Sequence, residues 1–175
     1  MKSVESDEVF KSWVRTELYG GVVKGGNIEY GFKDMYDLAN NGDLSEGGWK
    51  RLILHIKAIR GLYLIPDIAA GVVEVNWYKT QLSLEDLKQC NNWEYVNLEN
   101  SVSRYQSEDF VHNVKVKNTA NRFKYSWPDE PIIFTCEDID DFKTYRLIDG
   151  NHRARRYISE NRSEPIESFV CVYKK

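Results

Sequence analysis

Apolar residues follow helical spacing in the first third of the chain and strand spacing towards its end. Val9, Phe10, Trp13, Val14 and Leu18 form one stripe, with Ser6 as a candidate cap and Gly20–Gly21 as a stop. Phe32, Met35, Tyr36 and Ala39 repeat the pattern before Asn40–Asn41–Gly42, and Trp49, Leu52, Ile53, Ile56 and Ile59 carry a third helix to Gly61. After Pro66 the period shortens. Val73, Val75 and Trp77 alternate with Glu74, Asn76 and Tyr78, which predicts a strand, and Ser83 with Asp86 predicts a capping box opening a brief helix. Tyr95, Leu98, Val102 and Tyr105 suit a further helix, Val114 and Val116 a short strand, and Asn118 to Pro131 a loop. Pro131 to Phe134 and Ile166 to Tyr173 are apolar enough for buried strands. The pattern predicts an α+β fold: a helical layer over 1–70 packed with a small mixed sheet over 71–175, joined near Leu64 to Gly71 into one globular unit.

One stretch stands out, YRLIDGNHRARRY from Tyr145 to Tyr157. Its first half alternates as a strand over Tyr145 to Ile148, and Gly150 breaks it. Ala154, Tyr157 and Ile158 then share a helical face, with Asn151 as a candidate N-cap and the helix running from His152 to about Ser159. A strand, a tight turn and a helix aim free backbone N–H groups at one point, with the positive end of the helix dipole behind them. Arg153 and Arg155 in the same first turn make an anion site, phosphate above all. A helix turns ~100° per residue, so Arg153 and Arg155 flank a buried Ala154 and Arg156 points to solvent.

Composition narrows the function. With 175 residues, 42% of them hydrophobic, the chain is long enough for a real core. A net charge of −3 argues against a general polyanion binder, although Lys143 to Lys175 holds 8 basic residues against 4 acidic ones. Just upstream, Asp129, Glu130, Glu137, Asp138, Asp140 and Asp141 form an acidic run that reads as a solvated loop. Cys90, Cys136 and Cys171 are odd in number and lack metal spacing, which points to a reducing compartment. No signal peptide or apolar run of membrane length appears, so a cytoplasmic protein without a membrane partner is expected. Gly20, Gly21, Gly25 and Gly26 lack both the preceding strand and the following Lys-Ser/Thr of a phosphate loop, and read as turn residues.

The segment from Pro131 to Tyr173 resembles the ParB/sulfiredoxin superfamily: a strand PIIF, a strand ending in DGNHR, the helix RARRYI and a closing strand. The resemblance covers about a quarter of the chain closely and Val72 to Tyr173 loosely. In ParB proteins the box reads G-E-R-R-x-R-A and holds nucleoside triphosphate phosphates; Gly150, Arg153 and Arg155 match it, while Asn151, His152 and Arg156 depart from it. Sulfiredoxins need a cysteine where Asn151 stands, so their chemistry does not carry over. ParB-like serine kinases, with D-G-H-H-R, are similar through Asp149, Gly150, His152 and Arg153. The 20 residues after Arg155 hold no helix-turn-helix, so operator recognition is not implied. A second triphosphate motif is also missing, because Glu99-Asn100 with Arg104 is off in spacing.

The resemblance implies that Gly150, Asn151, His152, Arg153 and Arg155 bind a nucleoside triphosphate, ATP or CTP, with Mg²⁺ on Asp149. His152 and Asp149 are then catalytic candidates, with Glu85 or Glu74 as a base supplied from elsewhere on the sheet. Each residue also has a plainer reading. Arg153 fits a salt bridge to the acidic run, His152 a hydrogen bond orienting the turn, and Asp149 a strand-end cap. His55 and His112 have no partner pattern and read as structural. Two functions follow: Mg²⁺-dependent NTP hydrolysis or phosphoryl transfer, or a binding module that grips DNA or an acidic protein with the same basic turn. Tyr125 and Trp127, beside Arg122 and Lys124, suit either base stacking or packing.

Overall fold

The computed structural model describes residues 1–24, 32–60, 75–92, 97–105 and 130–173. The fold is α+β, with six helices and a five-stranded mixed sheet among the described residues. Helices α1 (Ser6–Lys24), α2 (Phe32–Asn41) and α3 (Glu46–Arg60) follow a short strand β1 (Lys2–Val4). Then come β2 (Val75–Leu82), α4 (Leu84–Gln89), α5 (Leu98–Tyr105) and β3 (Ile132–Cys136). A 3-10 turn (Phe142–Thr144), β4 (Arg146–Asp149), α6 (Asn151–Ser159) and β5 (Ile166–Tyr173) complete the chain. The capping box at α4 forms as its spacing predicts: the Asp86 N–H donates to Ser83 Oγ and the Ser83 N–H to the Asp86 carboxylate.

Two local expectations are corrected, and one strand has no counterpart in the sequence reading. Gly20–Gly21 do not stop α1, which continues to Lys24. Each mid-helix glycine costs only about 1 kcal/mol, too little to end a helix whose Val9, Trp13, Val14 and Leu18 are anchored in the core. Strand β4 starts one residue late, because Tyr145 closes the 3-10 turn by donating its N–H to Phe142. Strand β1 carries too few residues for a periodic signal and exists through pairing, Val4 lying opposite Trp77. Val73, Leu64 to Gly71, Tyr95, Val114, Val116 and Asn118 to Asp129 lie outside the described residues.

The sheet runs β1-β2-β5-β3-β4. Only β3 and β5 pair in parallel, with Ile133 beside Phe169 and Phe134 beside Val170; the other pairings are antiparallel. Alternation along the strands then sorts side chains onto two faces. Trp77, Ile133, Phe169 and Cys171 join Val9, Trp13, Leu18, Trp49 and Ile56 of the N-terminal helices. Ile132, Phe134, Leu147 and Val170 join Leu87, Leu98, Ala154, Tyr157 and Ile158 of α4 to α6. Helices therefore cover both faces, which is why all of β3 is buried and its sequence shows no alternation. Residues 1–60 and the later sheet share one core, so the two sequence regions meet across an apolar interface.

All three cysteines are free and buried, and desolvation is the main reason their thiols resist ionisation. From an ordinary value of 9.0, Cys136 and Cys171 are each pushed up to about 12, and Cys90 is raised as well. A raised folded pKa means that the unfolded chain releases its protons first as the pH climbs. The thiol contribution to stability is therefore intact below about 9 and is lost progressively towards 12. Urea unfolding at several pH values is expected to show this alkaline decline. A thiol reagent at neutral pH is expected to titrate all three cysteines in denaturant and to spare them in the native state.

Candidate functional site

The turn between β4 and α6 is built around a missing side chain. Gly150 adopts φ 91° and ψ 21°, a left-handed conformation that strains any residue with a Cβ. It also packs against the first residue of β3: a Cβ at position 150 would lie 2.4 Å from Ile132 Cγ2 and 2.9 Å from Ile132 Cβ. Backbone conformation and packing thus demand glycine independently. Gly150, not Asn151, takes the N-cap position, which corrects the sequence expectation. The left-handed cap lets the helix begin one residue earlier, with no side chain capping it. The Gly150 carbonyl accepts the first helical bond, from the Ala154 N–H at 2.9 Å. The N–H groups of residues 151 to 153 thus form a first turn that has no intrahelical acceptors. Asn151 places its side-chain Oδ1 there, buried and without a hydrogen-bond partner.

The arginines diverge. Arg153 lies across the turn, its side chain only 10% exposed. Its Nη1 donates to the Glu130 carbonyl and, at 3.4 Å, to the Pro131 carbonyl, while Nη2 reaches Asp149 Oδ2 at 3.3 Å. The ion pair in this geometry is therefore with Asp149, while the acidic run contributes the Glu130 main-chain oxygen. Arg155 is buried, with Nε donating to Ser101 Oγ of α5 at 3.3 Å, so it ties two helices together. Arg156 faces outwards and pairs with Glu160 at 2.6 Å, as the helical spacing predicts. Hydrogen bonding to Arg156 holds the Glu160 carboxyl below its ordinary value.

The remaining candidates are dispersed. His152 is the second residue of α6, and its side chain lies outside the described residues, as do the His55 side chain, His112, Glu74 and the segment with Arg122, Lys124, Tyr125 and Trp127. Glu85 is exposed on α4 and pairs with Lys88 at 2.8 Å, raising the lysine pKa. It lines a concavity of about 590 Å³ with Asn91, Asn97, Glu99 and Lys143. Lys143 precedes β4, whereas Asp149 ends it, so Glu85 faces the other end of that strand. Asp149 and Arg153 are brought together at the turn; Glu85 is not brought to them. Among the described residues no group of three or more His, Cys, Asp or Glu side chains could hold a metal ion. Nor does any described helix have the length and apolarity to cross a membrane.

Arg15, which has no part in the sequence argument, completes the surroundings. Arg15 of α1 forms a two-pronged pair with the Glu130 carboxylate, Nη2 to Oε2 at 3.0 Å. The partners are 115 residues apart, so no local pattern announces them. The Arg15 guanidinium also stands 6.0 Å from the centre of the Trp49 ring. The chain matches no protein-family model, no curated protein and no solved structure.

Gly150→Ala is expected to destabilise the fold substantially. Left-handed strain costs roughly 1–2 kcal/mol and overpacking against Ile132 a further 1–3 kcal/mol or so. A drop in the urea midpoint with an unchanged slope checks this. A midpoint within error of wild type would show that the turn relaxes freely.

Proposed function

We propose that the β4–α6 turn binds the phosphates of a nucleoside triphosphate, ATP or CTP, carried with Mg²⁺. The observation behind this reading is the uncapped N-terminus of α6, opened by a left-handed Gly150 and flanked by Asp149 and Arg153. Main-chain N–H groups and the helix dipole suit phosphate oxygens there. The unpartnered Asn151 Oδ1 suits a hydroxyl or amino donor of the same ligand. The resemblance of DGNHR to ParB-like boxes supports the same assignment.

Asp149 brings a carboxylate to the turn, and among the described residues it would hold a magnesium ion together with the phosphates and water. When bound, that ion supplies charge neutralisation for the phosphates. Arg153, pinned by the Glu130 carbonyl and by Asp149, holds its guanidinium plane at the turn instead of swinging freely. Hydrolysis or phosphoryl transfer depends chiefly on such positioning and charge, and the resemblance assigns its chemical groups to His152 and Asp149. A second reading, binding without turnover, is favoured by one observation: Glu85 faces a separate concavity beyond reach of the turn. On that reading the turn grips a nucleotide, a nucleic-acid backbone or an acidic protein as a recognition element.

Calorimetry with ATP and CTP, with and without Mg²⁺ at fixed salt, tests the proposal, and phosphate release separates the two readings. Arg153→Lys restores charge without the planar fork and is expected to lower affinity about tenfold, the worth of one charge-assisted hydrogen bond. Arg156→Ala, on the outer face, is expected to change affinity less than twofold. Equal loss for both variants in parallel titrations with a short DNA duplex, with no nucleotide bound, would replace the nucleotide site by a diffuse basic surface.

A further inference from the structure

We infer that Arg15 is a positioning residue for the β4–α6 turn, acting through Glu130 on Arg153. Four side chains of alternating charge run from one face of the sheet round to the other: Arg15, Glu130, Arg153 and Asp149. Glu130 is the hinge of the series, because it presents two acceptors in two directions. Its carboxylate takes both prongs of Arg15 from α1, and its main-chain carbonyl takes Arg153 from α6. The two groups belong to one residue just before β3. Fixing the carboxylate therefore restricts rotation of the peptide whose carbonyl meets Arg153.

The strand pairing places this residue where it can act. Strands β3 and β4 are antiparallel, with Ile133 opposite Asp149, so the start of β3 lies beside the end of β4. The Glu130 and Arg153 side chains are 13% and 10% exposed, so little water competes for these contacts. Arg15 is itself held by Trp49 of α3, which is buried in the N-terminal core. Position is thereby transmitted from α1 and α3 to Arg153, and from Arg153 to the Asp149 carboxylate at the mouth of the turn. Residues sharing one hydrogen-bonded network couple more strongly than separated ones, which makes the link measurable.

The affinity arm of the test rests on the nucleotide-binding reading; the exchange arm does not. Arg15→Ala and Arg15→Lys are compared with wild type and with Lys11→Ala, which removes the Lys11–Glu46 pair at 2.9 Å and a second cation 5.7 Å from the Trp49 ring but keeps the Arg15–Glu130 pair. Amide hydrogen exchange is followed at residues 154–157, the first hydrogen-bonded amides of α6, and in β5, and calorimetry uses Mg-ATP and Mg-CTP. Arg15→Ala is expected to speed exchange at 154–157 several-fold while β5 stays protected, and to weaken nucleotide binding about fivefold or more. Arg15→Lys is expected to fall between it and wild type, and Lys11→Ala to leave both readouts unchanged. Exchange at 154–157 no faster in Arg15→Ala than in Lys11→Ala overturns the inference, as does acceleration spread evenly into β5. Failure of wild type to bind either nucleotide overturns the nucleotide reading alone, because the exchange comparison still decides the role of Arg15.

Discussion

The close approach of Gly150 to Ile132 is the constraint on which the rest of the turn depends. It lets β4 end, the chain reverse and α6 begin within one residue, while α6 lies directly on the first residue of β3. A side chain at 150 would separate the strand from the helix. Arg153 would then lose its reach to the carbonyls of Glu130 and Pro131, and Ala154 its place among Leu87, Leu98 and Leu147. The open first turn of α6 and the packing beneath it therefore share one origin. A left-handed glycine serves both because it removes bulk and frees the backbone angle together.

The elements legible in the sequence were those whose own periodicity or capping chemistry fixes them. The three N-terminal helices, the capping box at Ser83 and strand β5 all follow from local spacing, as does the outward face of Arg156. The rest required contacts that spacing does not contain. Strand β1 exists because β2 offers it an edge, and the cap of α6 shifts to Gly150 because Ile132 lies beneath it. The fate of the arginines shows the same limit at the candidate site. Helical geometry puts Arg153 and Arg155 beside the buried face, but only tertiary structure reveals that one closes the turn and the other joins α5.

The acidic run before β4 shows what composition leaves open about roles. Glu137, Asp138, Asp140 and Asp141 are exposed, as a solvated charge cluster predicts, yet the members of the run do different things. Glu130 anchors two arginines from opposite sides of the sheet. Asp141 caps the 3-10 turn by accepting from the Lys143 N–H at 3.0 Å, and Asp138 accepts from the Asp140 N–H at the same distance. Local turn-making and long-range bracing thus coexist within one run of like charge. They separate only when each oxygen is assigned its donor.

The order of the sheet bears on how copies of the protein behave at high concentration. Its two longest strands, β2 and β5, each eight residues, pair with each other over their whole length, and β5 is interior. The two edges are short: three residues in β1 and four in β4. Asn91 occupies the start of the β4 edge, its carbonyl accepting from the Leu147 N–H at 2.8 Å and its N–H donating to the Tyr145 carbonyl at 2.9 Å. A second chain adding a strand therefore finds only brief runs of backbone to template on. Past β1, β2 leaves Val75 and Asn76 at one end and Thr80 and Gln81 at the other, before Leu82 turns into the core. Short, interrupted edges of this kind disfavour strand-by-strand association, so the native sheet is a poor seed for fibrous aggregation.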